Sequence, residues 1–216
     1  MAFAAIHDAL CELRRGAMII VADDEDRENE SDITMAADGV SPHALNFMLM
    51  YARGLICVPL EGARLDLLGI PAMPSNAPAF DGPAFAVPVE ARGRVTTGIS
   101  ATDRSATISA LVDRASLDTD FIYPGHTFPL RAQPGGVLSR AGHTEAAVDL
   151  ARFAGCTPAG IVCEILDGEG TPMRRRGLER FARAHALMTV RIEDIQAYAR
   201  RFAPARREVA APAAGK

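Results

Sequence analysis

A single α/β domain is the fold class this sequence predicts, and three observations predict it. The 216 residues fit one large domain or two small ones, and no linker divides the core. Apolar residues make up 49% of the chain and charged residues 23%, enough to bury a core without staples. Short apolar runs with strand character alternate irregularly with segments of helical period, and no internal repeat is present.

Residues 4–15 place Ile6, Leu10 and Leu13 on one face and stop at Gly16, which predicts an amphipathic helix. Strands follow at 17–22 and, beyond an acidic loop, near 33–37. Ser41-Pro42 is a helix start, serine as cap and proline in the first turn, and Gly54 marks its end. Residues 55–60 read as a buried strand carrying Cys57, and 63–68 as a short helix. Residues 69–83 hold four prolines, a long exposed loop that serves either as a binding loop or as a variable excursion. Strands are predicted near 85–89 and 95–99, and a helix over 103–115 with Ile108, Leu111 and Val112 on one side. Pro124-Gly125-His126 reads as a turn. A helix over 145–154 closes at Gly155, and an apolar strand over 160–166 is interrupted by Glu164. After a turn at 167–170 come a helix near 177–186, a strand near 187–192 and a helix near 193–202. The domain is thus expected over 1–202. The tail 203–216, rich in Ala, Pro and charge, is expected to be disordered.

The four cysteines, Cys11, Cys57, Cys156 and Cys163, are scattered and form no C-x-x-C pair. This points away from a zinc knuckle or disulfide framework, toward reduced thiols in a cytoplasm. No apolar run approaches the ~18–20 residues that span a membrane. Asp8 and Glu12 interrupt the apolar N-terminus, which lacks the basic start and small-residue cleavage site of a signal peptide. A net charge of −4 argues against a nucleic-acid partner, for which a basic stripe is expected.

Seven of the ten residues from Asp23 to Asp32 are acidic. With Arg27 the run carries −6, so within the net −4 the remainder of the chain is +2. Such a block at a strand end is either a solvated loop or a place where a hard cation or proton chemistry needs carboxylates. Three further places attract chemistry. In Arg140-Ala141-Gly142-His143-Thr144, glycine allows close backbone approach and Arg140 offers a charged fork. Thr144 sits where a helix start presents free N–H groups to a phosphate; the alternative is ordinary capping by Thr144 with Arg140 in solvent. His143 is structural, or a metal ligand if a carboxylate reaches it from elsewhere. His126 follows a rigid Pro-Gly pair that can aim an imidazole. Glu164 lies in an apolar strand, where its pKa is perturbed if it is buried, or it faces solvent by strand alternation.

Read together, these segments resemble one family. Asp23-Asp24-Glu25-Asp26-Arg27-Glu28-Asn29-Glu30 is similar to the acidic signature of the 3,4-dihydroxy-2-butanone 4-phosphate synthases of riboflavin biosynthesis. The likeness continues through Gly54–Val58, Thr96–Arg104, Pro124–Ala132, Gly135–Leu138, Arg140–Ala146 and Gly160–Glu164, over roughly residues 5–200. The chain ends where bifunctional relatives begin a GTP cyclohydrolase II domain, so the monofunctional form is expected.

The resemblance implies one α/β domain with a mixed sheet between helices, a homodimer, and conversion of D-ribulose 5-phosphate to L-3,4-dihydroxy-2-butanone 4-phosphate and formate with Mg²⁺, or alternatively Mn²⁺. It implies Glu28 and His143 as metal ligands, and His126 and Glu164 as catalytic residues. Substrate contacts are implied for Arg27, Glu28, Asp32, Arg140, Ala141, Gly142, His143, Thr144 and Glu164. The chemistry fits these residue types. Loss of a proton beside the ketone needs a base and a stabilised oxyanion, loss of a hydroxyl needs an acid, and the phosphate needs a cationic seat away from the acidic loop. Four places depart from the family pattern. Ser31 stands where glycine is usual, so the serine must either stiffen the loop or accept an unusual backbone angle. Tyr123 replaces an arginine, residues 84–89 lack a threonine and serine, and Arg174-Arg175-Arg176 follows a shortened segment. These leave open a paralogue acting on another sugar phosphate, or a binding protein on the same fold.

Overall fold

The structure, a computed structural model, describes residues 3–24, 26–75 and 82–202. In chain order these form α1 (Ile6–Arg14), β1 (Ile19–Ala22), β2 (Ser31–Ala36), α2 (Pro42–Phe47), β3 (Cys57–Glu61), α3 (Gly62–Leu67), β4 (Val89–Ala91), α4 (Ala101–Val112), β5 (Phe121–Ala132), α5 (His143–Phe153), β6 (Gly160–Glu164), α6 (Arg175–Ala184), β7 (Thr189–Arg191) and α7 (Ile192–Phe202). The strands make one mixed sheet in the order β4-β5-β3-β6-β2-β1-β7. Pairs β3/β5 and β1/β7 are parallel; β1/β2, β2/β6, β3/β6 and β4/β5 are antiparallel.

Helices cover both faces, so the central strands are shielded on both sides: all four residues of β1 and all six of β2, the polar Ser31, Asp32 and Thr34 included, are buried. Ile20, Ile33, Met35, Val58, Leu60 and Ile161 pack with residues of α2, α3, α4 and α6. Ile19 and Val21 point the other way, toward Leu10 and Leu13 of α1, Ala146 and Leu150 of α5 and Ile195 of α7. Cys57, Leu130 and Val162 also meet α5, at Ala147.

Ser41 caps α2 as the sequence predicts, its Oγ accepting the Ala44 N–H at 3.1 Å. The helix continues through a π turn at Met48–Ala52 and ends on Arg53, which takes the left-handed backbone at φ 74°. Gly54 has a different use: a Cβ there would lie 2.5 Å from both the carbonyl oxygen and Oε2 of Glu164.

Four expectations are corrected. Pro124-Gly125-His126 is not a turn but part of the twelve-residue β5. Its prolines and glycine hide the strand, because they are residues a ladder normally excludes. Residues 95–99 are not a strand. Asp103 Oδ1 and Oδ2 accept the Thr96 and Gly98 N–H groups and the Thr96 hydroxyl at 2.9–3.1 Å, so a side chain takes the bonds a ladder would make. Ser31 begins β2 opposite Ala22 in extended backbone; the left-handed residue of the acidic segment is Asn29, at φ 52°. Helix α5 starts at His143 with Gly142 as its cap residue, so Thr144 lies inside the first turn and does not cap it. The expected tail at 203–216 and part of the 69–83 loop lie outside the described residues.

Candidate active site

The register of β2 against β6 builds the site. Asp32 stands opposite Glu164 on one side and Val21 on the other. Alternation therefore sends Asp32 and Glu164 to the face that α5 covers. His143, at the start of α5, closes over them, with Nε2 3.2 Å from the Val21 carbonyl oxygen and 4.0 Å from Asp32 Oδ1.

Asp32 is 4% exposed, and its Oδ1 has no hydrogen-bond partner among the described residues. Burial foremost raises its pKa to about 7; His143 opposes this, while Glu164, Glu30 and Glu28 add to it. Glu30 is also raised, by burial first and then by Glu28 and Glu164. The sequence points to Glu164 as the perturbed carboxyl, but the fully buried acid is its strand partner. Glu164 is half-buried, and its Oε2 accepts the Leu55 N–H at 2.8 Å. Gly54 makes that contact possible.

The acidic run folds on itself rather than splaying. Asp23 Oδ2 accepts Arg27 Nη1 at 2.6 Å and the Glu28 N–H at 3.1 Å, and Arg27 also grips the Glu28 carboxylate at 2.9 and 3.0 Å. Burial opposes the Arg27 charge, but Asp23 and Glu28 outweigh it and raise its pKa. Arg27 and Ala141 share a cavity of about 530 Å³ with Asp23, Asp24, Ser31 and Arg191; it does not include Asp32, His143 or Glu164.

Arg140 is not in solvent. Its Nη1 donates to Glu145 Oε2 at 2.8 Å, with side-chain exposures of 10% and 1%. Glu145 Oε1 also accepts the Gln133 N–H at 3.0 Å, so this buried carboxylate ties Arg140 to the end of β5. Gly142 leaves room for it, since a Cβ there would lie 2.0 Å from Arg140 Nη1. Thr144 is buried beside this pair in the first turn of α5, where helix geometry leaves N–H groups without intrahelical partners.

His126 is brought to the same end of the sheet but not into contact with Glu164. Phe128 of β5 stands opposite Cys57 of β3, which stands opposite Val162 of β6. His126 and Glu164 each lie two residues further toward one end, two strands apart, about 10 Å between backbones. The His126 Nδ1 instead meets Glu90 Oε1 of β4 at 2.5 Å. Sequence reasoning missed Glu90 and Glu145. Each is an acid in an apolar strand or helix segment, the signal that drew attention to Glu164.

Among the described residues, no three His, Cys, Asp or Glu side chains form a ready metal cage. Two acids, Asp32 and Glu30, whose pKa values are raised by burial and by neighbouring carboxylates, an unpartnered buried oxygen and one imidazole nevertheless suit a hard dication completed by substrate or water oxygens.

Comparison with known proteins identifies the family to which the chain and its fold belong. A family model described as 3,4-dihydroxy-2-butanone 4-phosphate synthase matches residues 7–198. A protein of that name from Agrobacterium fabrum is 51% identical over 198 residues, 92% of this chain and 93% of the relative. One from Pseudomonas aeruginosa is 46% identical over 92% of this chain, which spans 54% of that longer protein. Several of the relatives matched are about twice as long as the region they share with this chain. A solved 3,4-dihydroxy-2-butanone 4-phosphate synthase in complex with two magnesium ions superposes with a TM-score of 0.87 at 37% identity, covering 93% of this chain and 98% of that one. On the extent of the family match and the identity to these relatives, the chain belongs to the 3,4-dihydroxy-2-butanone 4-phosphate synthase family.

Proposed function

We propose that this chain is a lyase that converts D-ribulose 5-phosphate to L-3,4-dihydroxy-2-butanone 4-phosphate and formate, with Mg²⁺ bound by Glu28 and His143. The observation that carries the reading is Asp32. It is a buried carboxyl with an unpartnered oxygen, set between Glu164 and His143. Such a group is unfavourable on its own and becomes favourable beside a cation or a hydroxyl-rich substrate. A relative bound to two magnesium ions supports the choice of metal. When bound, the dication would polarise the ketone and stabilise the oxyanion that forms on enolisation.

The chain's own residues do the remainder. Arg140, held by Glu145, and the first turn of α5 at Gly142–Thr144 seat the phosphate. Asp32 and Arg27 hold the sugar hydroxyls, and Ala141 lines the approach. Glu164 and His126 move protons, one removing the proton beside the ketone and one assisting loss of a hydroxyl as water. Glu28 is gripped by Arg27 in this structure, so binding the metal requires it to trade that guanidinium for the cation.

We place the enzyme in the cytoplasm as a homodimer. No helix among the described residues is long and apolar enough to cross a membrane. Leu55, whose N–H meets Glu164, Ile99, which follows Gly98, and Tyr123 of β5 are exposed at 42%, 54% and 55%, and a second copy would cover them.

The test is incubation of the purified protein with ribulose 5-phosphate and Mg²⁺, followed by a formate assay with and without chelator. Metal-dependent formate release is expected, and Glu164→Gln and His126→Asn should each abolish it while substrate still binds. Full activity in excess chelator refutes the metal; near-native formate production by either variant refutes that residue's role.

A further inference from the structure

We propose that Glu90 is the positioning residue for His126, fixing the imidazole with its proton on Nδ1 and leaving Nε2 as the proton-accepting atom. This rests on the reading of His126 as a proton-transfer residue.

The geometry begins with an irregular pairing. Val89 of β4 stands opposite Thr127 of β5, yet the next residue, Glu90, stands opposite Ile122. Residues 123–126 are therefore extra on β5, unpaired in the β4/β5 register and bowed over the β4 backbone, and a bulge of this kind re-aims side chains. The bow brings His126 Nδ1 within 2.5 Å of Glu90 Oε1. An ionised carboxylate only accepts, so the shared proton belongs to Nδ1.

Two glycines make this contact possible, which separates it from a chance surface pair. At Gly125, a Cβ would lie 2.3 Å from the Val89 carbonyl carbon and 2.7 Å from the Glu90 nitrogen, so only glycine lets the bowed segment lie against β4. At Gly98, with φ +82°, a Cβ would lie 1.6 Å from Glu90 Oε1 and 2.8 Å from His126 Nδ1. Gly98 thus covers the pair from a third segment, and Asp103 pins it there by accepting its N–H at 3.1 Å. Asp103 is itself tied down: the Thr96 N–H foremost, with the Thr96 hydroxyl and the Gly98 N–H, holds its carboxyl below the usual range. Glu90 is 13% exposed at its side chain and His126 47%, so the carboxylate is sheltered while the ring keeps an open edge.

The proton count is simple. The Nε2 lone pair takes a proton from the substrate, and the ring becomes an imidazolium with Nδ1–H still held by Glu90. The imidazolium then passes the proton from Nε2 to water, which restores the neutral ring, and the carboxylate keeps its charge throughout. Glu90 offsets the transient positive charge and prevents the ring from turning or exchanging tautomers.

The experiment uses full-length protein labelled with ¹⁵N at histidine, with His126 assigned from the spectrum of His126→Asn. In the wild type, His126 is expected as the Nδ1–H tautomer. Glu90→Ala should release it toward Nε2–H and lower kcat by ~10²-fold, the lower end of what a positioned acid or base contributes, with KM within about twofold. Glu90→Gln, which is isosteric and can still accept from Nδ1–H, should keep the tautomer and lose less. Gly98→Ala should reproduce the Glu90→Ala spectrum from outside the pair. A wild-type ring protonated on Nε2, or a Glu90→Ala protein with unchanged tautomer and kcat, overturns the proposal. Should His126→Asn keep making formate, His126's role in the reaction fails instead, a result distinct from the ¹⁵N outcome.

Discussion

At the scale of the residue, the acids do most of the talking, and which of them matter depends on where the strands put them. Glu164 and His143 drew attention from the residues themselves, a carboxylate inside an apolar strand and an imidazole beside a helix start, whereas Glu28 and Asp32 were singled out of the acidic run only by the family resemblance. Glu90 and Glu145 carry a similar signal and were passed over: the partner of Glu90 lies 36 positions away, and Glu145 reads as an ordinary acid in a helix's first turn although it is buried against Arg140. Asp32 makes a pH prediction. Its folded pKa of about 7 lies above the ordinary 3.8, so the metal-free fold favours the neutral acid. That contribution is complete below about pH 4 and is lost as pH rises through about 7. At 1.36 kcal/mol per pKa unit, its ceiling is ~4 kcal/mol. In thermal melts without metal, Asp32→Asn should therefore gain stability over the wild type as pH rises from about 4 to about 7, and added Mg²⁺ should narrow the gap. A difference independent of pH would refute this. Gly54→Ala makes a steric prediction. The added methyl meets the Glu164 carbonyl and carboxylate, so urea unfolding should show a loss of about 1–3 kcal/mol, and formate production should fall with it.

At the scale of the element, α5 carries more than its length suggests. Its first turn holds His143 and Thr144, Glu145 grips Arg140 and Gln133, and Asp149 accepts the Val137 N–H at 2.8 Å. The segment from 133 to 140 is thereby clamped to one helix by two buried carboxylates. Glu145→Gln puts an amide donor or a mismatched oxygen against Arg140. We expect a loss of about 3–5 kcal/mol, because a buried pair with one partner removed leaves an uncompensated charge. KM for the sugar phosphate should rise more than kcat falls; an unchanged KM in steady-state kinetics would show that Arg140 needs no such anchor. Helices were the best-read elements, since caps and periodicity mark them locally. Strand β5 was the worst read. Pro124, Gly125 and Pro129 deny it the usual signature, and only its long-range partners β3 and β4 hold it extended.

At the scale of the whole molecule, sheet order was beyond the sequence. Nothing local to β6 says that it lies between β3 and β2, and that placement is what sets Glu164 beside Asp32. The apolar residues left outside the fold were visible only once it was built. Leu55, Ile99 and Tyr123 lie far apart in the chain yet all near the site end of the sheet. If the protein forms the proposed homodimer through them, Ile99→Asp with Tyr123→Asp should shift the sedimentation coefficient to that of a monomer. A wild-type protein that already sediments as a monomer at micromolar concentration would refute the dimer.

The alternation along β2 has a consequence for how the protein can be handled. Asp32 faces α5 while Ile33 and Met35 face the opposite layer. A chain that paired β2 one step out of place would exchange these sides, burying the aspartate in oil and exposing isoleucine to the catalytic cleft. Such a molecule could keep much of its helix content and still be dead. Specific activity after refolding therefore counts correctly threaded molecules, where circular dichroism counts all compact ones. The difference between the two yields measures the misthreaded fraction directly.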